Sequence, residues 1–193
     1  MEDKRTKIIE KGLAIIHSKG YNGTGLQEIV EAAGIPRGSF YYYFQSKKHF
    51  AIEVMNYYYE IKYKEAERIL SDQSNSLFQR MEELFSYWIK EDYSRNKFEK
   101  GCLIGNFAIE GGDVARIFGS VVEKDFRSIE RLLTNCLTED KEANELKLSV
   151  DVEKLAEFIW NSWEGAILRM KATKSGRPLS TFQKILLETL LKK

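Results

Sequence analysis

The chain of 193 residues is almost electrically neutral, with 30 Lys and Arg residues against 29 Asp and Glu residues. Its hydrophobic content of 43% allows a substantial core, and only two prolines leave helix permissible throughout. No apolar run approaches the roughly 20 residues of a membrane span, and the N-terminus does not resemble a signal peptide. Cys102 and Cys136 are too few for a disulfide framework. These features predict a soluble, cytoplasmic protein without a membrane partner.

The charge is distributed unevenly. The first fifty residues contain eight Lys and Arg against five Asp and Glu, and the remainder contains 22 against 24. The N-terminal end is therefore modestly basic, which agrees with a surface that faces DNA but does not establish one.

A first helix is predicted from Asp3 to Ser18. The segment that follows, from Thr24 to Lys48, contains two short helical patterns with a turn between them; it reads TGLQEIVEAAGIPRGSFYYYFQSKK. In the first pattern Thr24 is a good N-cap, apolar residues share one face, and Gly34 ends the helix. In the second, Pro36 suits the first helical position and Phe40 faces inward. An A-A-G-I-P turn between helices this short is typical of a helix-turn-helix, whose second helix lies in the major groove of DNA.

This segment resembles the DNA-binding domain of the TetR/AcrR family of bacterial repressors, with matches in the A-G-I turn, in G-S-F-Y, and in the closing Y-F-Q-S-K. The chain departs from the family pattern at Gly25 and Pro36, where hydroxyl residues are usual. The resemblance is close over about the first fifty residues and extends to the rest only in layout. The alternative is a glycine-interrupted helix pair in some other all-α protein.

The resemblance implies a set of DNA-contacting residues. Lys47 matches the family's phosphate-binding lysine at a helix N-terminus, and Gly25 can offer only its backbone N–H to a phosphate. Arg37, Ser39 and Tyr42 are the plausible base readers. The full predicted set is Thr24, Gly25, Arg37, Gly38, Ser39, Tyr41, Tyr42, Tyr43 and Lys47.

The predicted fold is all-α, with about nine helices. A three-helix head over residues 1–48 is followed by a helical effector-binding and dimerisation domain over 49–193. Six later helices are predicted: Lys47 to Leu70, a helix capped by Ser76 or Asn75 that ends at Trp88, Cys102 to Glu110, a long apolar stripe after Gly112, Asp151 to Ala172, and Ser180 to Leu191. An acidic surface loop is predicted from Thr138 to Ser149.

The helix that starts at Asp151 is apolar over more than one narrow stripe, so it needs a second partner besides its own core. Gly165 and Ala166 allow a close helix approach. With the last helix, this surface resembles the four-helix dimer interface of the family. The prediction is a homodimer formed through the last two helices.

The resemblance also implies an effector cavity inside the helical body. Its predicted lining is Phe85, Trp88, Cys102, Asn106, Phe107, Phe126, Trp160 and Trp163. The same aromatics could be core alone. No cationic cluster is present, so the predicted effector is small and mostly apolar rather than strongly anionic. Cys102, near a helix start, could sense oxidants or electrophiles, or could be a buried inert thiol.

No nucleophile motif, phosphate loop or zinc-binding pattern is present, and two histidines cannot assemble a metal site, so we expect no catalytic residues, metal or cofactor. The sequence thus predicts a repressor bound to double-stranded operator DNA and released by a small effector. The alternatives are a helical ligand-binding protein without DNA regulation and an enzyme that uses the C-terminal cavity.

Overall fold

The computed structural model describes residues 3–110, 112–142 and 150–191. Within these ranges the chain is all-α, as predicted. The helices are α1 (Lys4–Lys19), α2 (Leu26–Ala33), α3 (Arg37–Tyr43), α4 (Lys47–Leu70), α5 (Leu77–Trp88), α6 (Leu103–Ile109), α7 (Asp113–Glu142), α8 (Val152–Thr173) and α9 (Arg177–Ile185), with π-helical segments at Ile89–Ser94 and Leu186–Leu190.

Several predicted boundaries are confirmed. Helix α4 begins at Lys47 and ends at Leu70 as expected. Ser76 caps α5 through a capping box, because its hydroxyl accepts from the Gln79 N–H while the Gln79 side chain accepts from the Ser76 N–H. Asp151 caps α8 by accepting from the Lys154 N–H.

The predicted N-cap at Thr24 is wrong. The N-cap of α2 is Gly25, and the Thr24 hydroxyl donates to the Gly20 carbonyl at 2.6 Å, with the residue only 1% exposed. Thr24 therefore closes the preceding turn instead of the helix. Pro36 is likewise the N-cap of α3 and not its first helical residue.

The predicted loop from Thr138 is also wrong in its first part, since α7 continues to Glu142. Leu137 and Asp140 are both buried, so packing extends the helix through a stretch whose acidity indicated a surface loop. The part of that loop over 143–149 lies outside the described residues. Helix α9 begins at Arg177, three residues before the expected start at Ser180.

The chain packs as two compact units, and the division falls inside α4 and α7. We call the chain up to Ile61 together with Leu103–Glu123 the head unit, and Lys62–Cys102 together with the chain from Lys124 onward the body unit. The predicted domain boundary at residue 48 stays a prediction.

Three phenylalanines form the centre of the head unit. Phe40, Phe44 and Phe50 are at most 1% exposed, and their ring centroids lie 4.8–5.3 Å apart. Buried aliphatic residues of α1 and α2, including Ile8 and Ile29, complete this core. Burial of each such side chain contributes about 1.5–3 kcal/mol.

The turn between α2 and α3 depends on Gly34. Its backbone has φ 65° and ψ 36°, a left-handed conformation that costs glycine little and most other residues more. In this conformation the Gly34 N–H bonds back to the carbonyls of Val30 and Glu31, and the Ile35 N–H bonds to the Val30 carbonyl at 3.0 Å. Gly34 thus ends α2 and redirects the chain into α3.

The body unit has an aromatic core with one buried cation. Phe85, Trp88 and Trp163 are at most 3% exposed. Arg80, 5% exposed, donates from Nη1 to the Leu70 carbonyl at 2.7 Å and to Glu139 Oε2 at 3.0 Å. These bonds satisfy part of a guanidinium that would otherwise be costly to bury.

The described helices include none that combines the length and apolarity needed to cross a membrane.

Candidate DNA-binding and effector sites

Helix α3 divides its side chains between core and solvent. Phe40 is fully buried, and Phe44, which follows the helix, is 1% exposed. On the other side Tyr41 is 52% exposed and Tyr42 is 85% exposed, among the most exposed large apolar side chains of the described residues. Arg37 and Gly38, at the start of the helix, are also exposed. The fold therefore holds one face of α3 rigidly and presents the other.

Ser39 and Tyr43 are half-buried at the edges of this face. The Tyr43 ring packs edge-on against Tyr42 with centroids 5.0 Å apart, which orders one side of the exposed tyrosine. Of the two successive tyrosines Tyr41 and Tyr42, Tyr42 projects further into solvent. The exposed face thus contains a cation, a hydroxyl residue and phenol groups, all of which bind phosphates or base edges in known DNA complexes.

The Lys47 ammonium has partners within the head unit. Lys47 Nζ donates to the Tyr21 carbonyl at 2.6 Å and lies 4.2 Å from the centroid of the Tyr21 ring. Burial lowers the pKa of Lys47, and the nearby carboxylate of Glu110 acts in the opposite direction. In this conformation Lys47 holds the turn after α1, while its predicted contact with a DNA phosphate stays a prediction.

Glu110, at the end of α6, binds the same turn. Its Oε1 accepts from the Tyr21 N–H at 2.6 Å and its Oε2 accepts from the Asn22 N–H at 3.0 Å. The Tyr21 ring packs edge-on against Phe118 of α7 at 4.9 Å. These contacts could not be predicted, because Glu110 is 89 residues from Tyr21 and its place in the sequence indicates only an ordinary helix-end carboxylate.

Two other predicted DNA contacts have different surroundings. Thr24 is buried and its hydroxyl is engaged with Gly20, so the structure does not favour a side-chain contact there. Gly25 is exposed at the N-cap of α2, with no atom within 4 Å of where a Cβ would lie. Its N–H is therefore at a helix N-terminus, where anions bind.

Five of the eight predicted effector residues lie together in the body unit. Trp88 is 6.0 Å from Trp163 and 6.1 Å from Trp160, measured between ring centroids. Phe85 contacts Trp163 at 4.9 Å, and Phe126 contacts Trp160 at 5.8 Å. These five residues, which we call the aromatic cluster, join α5, α7 and α8.

Cys102 also belongs to the body unit, whereas Asn106 and Phe107 belong to the head unit. Phe107 packs against Tyr21 and Phe118 with ring centroids 6.0 and 4.9 Å away. Asn106 is half-buried on the same short helix. The predicted eight residues therefore do not form one cluster within a single unit.

Two carboxyl groups of the body unit whose pKa values are raised by burial were missed. Asp125 is 1% exposed, and burial raises its pKa to about 7. Burial also raises the pKa of Glu164 to about 7, against a hydrogen bond from the Cys102 thiol. A usable signal existed, because Asp125 falls on the apolar stripe of α7 and Glu164 lies one turn after Trp160 on the apolar side of α8.

Cys136 is buried too, and burial raises the pKa of its thiol to about 12. A thiol this difficult to ionise is a poor nucleophile. Among the described residues, no three His, Cys, Asp or Glu side chains are grouped in a way that could hold a metal ion.

Both parts of the chain match family models. Residues 8–54 match "Bacterial regulatory proteins, tetR family", and residues 78–186 match "Tetracyclin repressor-like, C-terminal domain". The first match contains α2 and α3 with the exposed tyrosines, and the second contains most of the body unit.

Relatives that match nearly the whole chain are also transcriptional regulators. The HTH-type transcriptional repressor DhaR of Mycobacterium sp. (strain GP1) is 30% identical over 97% of this chain and 92% of its own. The transcriptional regulator AcuR of Cereibacter sphaeroides is 33% identical over 91% and 80%. The crystal structure of a regulatory protein TetR from Rhodobacter sphaeroides superimposes with a TM-score of 0.87 at 30% identity, covering 95% of this chain and 96% of that one. The chain is a transcriptional regulator that belongs to the TetR family of bacterial regulatory proteins.

Proposed function

We propose that the protein is a homodimeric repressor that binds double-stranded operator DNA through α3, acts in the cytoplasm, and leaves the operator when a small effector binds the body unit. The observation that carries this proposal is the two-sided α3 helix. Its Phe40 side is locked into the head core while its Tyr42 side is 85% exposed. A helix anchored in this way can enter a major groove without losing its own packing.

Within this proposal the exposed residues of α3 have separate roles. Arg37 has five donors in a fixed fork that can bind a guanine edge or a phosphate. Tyr42 and Ser39 reach bases, and Tyr43 with the Gly25 N–H binds the backbone. Lys47 contributes a phosphate contact only if its ammonium leaves the Tyr21 carbonyl, so we expect its main effect on DNA to come through the geometry of the turn.

The proposed dimer interface is the surface formed by α8 and α9. An open groove of about 710 Å³ lies there, lined among others by Phe158, Gly165, Phe182 and Ile185. Phe158 is 56% exposed and Ile185 is 50% exposed, and both line this one groove. Contiguous exposed apolar surface marks interaction sites more often than single exposed side chains do. No atom lies within 4 Å of a Cβ built on Gly165, so a partner helix could approach closely there. A stable interface would bury at least about 1,000 Å².

The aromatic cluster supports the effector part of the proposal. Ligand sites in proteins are mostly apolar with a few polar groups that fix orientation, and the cluster has buried carboxyl groups nearby in the sequence of α7 and α8. An effector releases DNA only to the extent that it binds the DNA-free conformation more tightly than the DNA-bound one. The proposed function is regulatory, and no catalytic step is part of it.

A gel-shift titration with the DNA upstream of the protein's own gene tests the proposal. We expect a sequence-specific complex that weakens as salt rises, because bound phosphates release counterions. Arg37→Ala should weaken it by about 1–3 kcal/mol if Arg37 binds a base. The matched control is Lys90→Ala, which removes a side chain 78% exposed in the body unit and should leave the complex unchanged. Equal binding to upstream DNA and to random DNA of the same length would reject the proposal.

A further inference from the structure

The turn between α1 and α2 is bound by a residue from a much later part of the chain. Both oxygens of the Glu110 carboxylate are used, Oε1 by the Tyr21 N–H at 2.6 Å and Oε2 by the Asn22 N–H at 3.0 Å. Gly20 makes room for this carboxylate, because a Cβ there would lie 2.5 Å from Oε1. Hydrogen bonds to an ionised acceptor are shorter and stronger than neutral ones. Glu110 therefore fixes both the position and the orientation of this turn.

The same turn is also bound from the start of α4. Lys47 Nζ donates to the Tyr21 carbonyl at 2.6 Å and lies 4.2 Å from the centroid of the Tyr21 ring. Burial lowers the pKa of Lys47, and the negative charge of Glu110 opposes that shift. Tyr21 thus joins two elements, since its N–H binds the residue that follows α6 and its carbonyl binds the first residue of α4.

Apolar packing supports these polar contacts. The Tyr21 ring lies against Phe107 of α6 and Phe118 of α7, with ring centroids 6.0 and 4.9 Å away, and both phenylalanines are at most 1% exposed. Leu103–Glu123 accordingly packs with the head unit, although the family model for the N-terminal domain ends at residue 54. The unit that contains α3 therefore includes a segment that lies outside the N-terminal domain in the sequence.

The bound turn leads directly into α2. The Thr24 N–H donates to the Tyr21 carbonyl at 3.3 Å, and the Thr24 hydroxyl donates to the Gly20 carbonyl at 2.6 Å. The next residue, Gly25, is the N-cap of α2, so a short hydrogen-bonded path connects Tyr21 to the start of this helix. A shift of Tyr21 is therefore passed to α2 and, through the tight turn at Gly34, to α3.

The placement of α3 matters more for specific recognition than for general attraction to DNA. Base edges are read only when the recognition helix is held within a fraction of an ångström of its productive geometry. Binding to random DNA depends mainly on the number of phosphates that are neutralised, so it tolerates small displacements. Loosening of the turn should therefore lower the affinity for the operator and leave the affinity for random DNA nearly unchanged.

We propose that Glu110 is a positioning residue for operator binding, which holds the α1–α2 turn through Tyr21 and thereby sets the placement of α2 and α3 without contacting DNA. The inference rests on the proposed function, since it assumes that α3 reads the operator. Charge and geometry act in opposite directions here. Loss of a negative charge from the head unit strengthens its attraction to every DNA sequence, whereas loss of the two N–H bonds weakens only the specific complex.

Two substitutions in the full-length protein separate charge from geometry. Glu110→Gln removes the charge and keeps one acceptor, whereas Glu110→Asp keeps the charge on a side chain too short to keep both bonds at their present lengths. Fluorescence anisotropy with labelled duplexes should show both variants binding the operator at least about tenfold more weakly, and random DNA of the same length no more than about twofold more weakly, than wild type. Equal changes for the operator and random DNA, or unchanged operator binding by both variants, would overturn the inference.

The matched control is Asp72→Asn in the body unit. The Asp72 carboxylate also holds a turn, since it accepts from the Ser74 N–H at 3.1 Å and from the Ser74 hydroxyl at 2.6 Å. The control should leave both affinities within about twofold of wild type even where it lowers the urea midpoint. An operator loss in this control as large as that of the Glu110 variants would show that reduced stability alone explains their effect, and the inference would fail.

A measurement on the wild type needs no variant to fold. Because coupling is reciprocal, operator binding must strengthen the Glu110 bonds by the same factor by which those bonds strengthen operator binding. Hydrogen exchange of the Tyr21 and Asn22 amides should therefore slow by at least about tenfold with the operator but not with random DNA. Equal exchange with both would contradict the positioning role.

The wild-type protein also separates this inference from the proposed function. If it forms no sequence-specific complex with DNA, the proposed function fails. A specific wild-type complex that the Glu110 variants form with full affinity rejects only the positioning role.

Discussion

Removing the Glu110 carboxylate should loosen the turn that follows α1. Glu110 accepts the Tyr21 N–H at 2.6 Å and the Asn22 N–H at 3.0 Å, and both bonds involve a charged acceptor. Bonds of that kind contribute about 1.5–3 kcal/mol each when buried. The Asn22 bond is exposed and the Tyr21 bond only partly buried, so we expect a total of about 2–3 kcal/mol for Glu110→Ala.

The effect should spread to Lys47. Its ammonium donates to the carbonyl of the same Tyr21 residue, and the Glu110 charge is the contribution that raises the Lys47 pKa. Without Glu110 the burial that lowers this pKa is less opposed. Glu110→Gln should show a smaller loss, about half, because an amide oxygen can still accept one of the two N–H groups.

Urea unfolding gives the free-energy change, and amide hydrogen exchange at Tyr21 and Asn22 shows where it arises. The control is Asp113→Asn, which alters a carboxylate 77% exposed whose partner is Arg116 on the surface. It should change stability by less than about 0.5 kcal/mol. If Glu110→Ala leaves both stability and exchange at the level of this control, the two bonds do not hold the turn.

Three further outcomes are expected. The pKa of Asp125 is about 7 in the folded protein against a usual 3.8, so between these values the folded state keeps a proton that the unfolded state releases, and stability falls as pH rises from about 4 to about 7. Asp125→Asn should therefore stabilise the protein against urea more at pH 8 than at pH 5. An equal gain at both pH values would contradict the burial of this carboxyl group. Phe158→Glu combined with Ile185→Glu should shift sedimentation at micromolar concentration from dimer to monomer while circular dichroism stays helical, and a persistent dimer would exclude the α8–α9 surface. Lys47→Ala should weaken specific DNA binding while lowering the salt slope by less than about half a unit, because its ammonium is held by the Tyr21 carbonyl. A slope lower by about one unit would instead show a direct phosphate contact, and Arg37→Ala should change sequence preference.

The head could be predicted from the sequence because its determinants are local. The end of α2 at Gly34, the inward position of Phe40 and the start of α4 at Lys47 can each be predicted from neighbouring residues alone. All three predictions are confirmed. The predicted N-cap at Thr24 is wrong because its hydroxyl can either cap α2 or donate to the carbonyl of the preceding turn. In the structure it donates to the Gly20 carbonyl.

The candidate effector site was less accessible to sequence reasoning. Aromatic residues at helical spacing correctly indicated which side chains meet in the body unit, among them Trp88 and Trp160. Whether a polar residue on the same stripe is buried depends on tertiary packing, so Asp125 and Glu164 were passed over. Glu110 depends on a contact across 89 residues, for which helical period carries no information.

The spacing of DNA half-sites shows whether the protein binds its operator as a dimer through two α3 helices. A dimer that presents two α3 helices to one DNA face requires half-site centres about 34–36 Å apart, or a small multiple of that distance. Once footprinting has defined the operator, insertion of five base pairs between its halves turns them to opposite faces, and insertion of ten returns them. We expect the first insertion to abolish specific binding and the second to restore part of it. Equal affinity for the native, five-pair and ten-pair spacings would contradict this expectation.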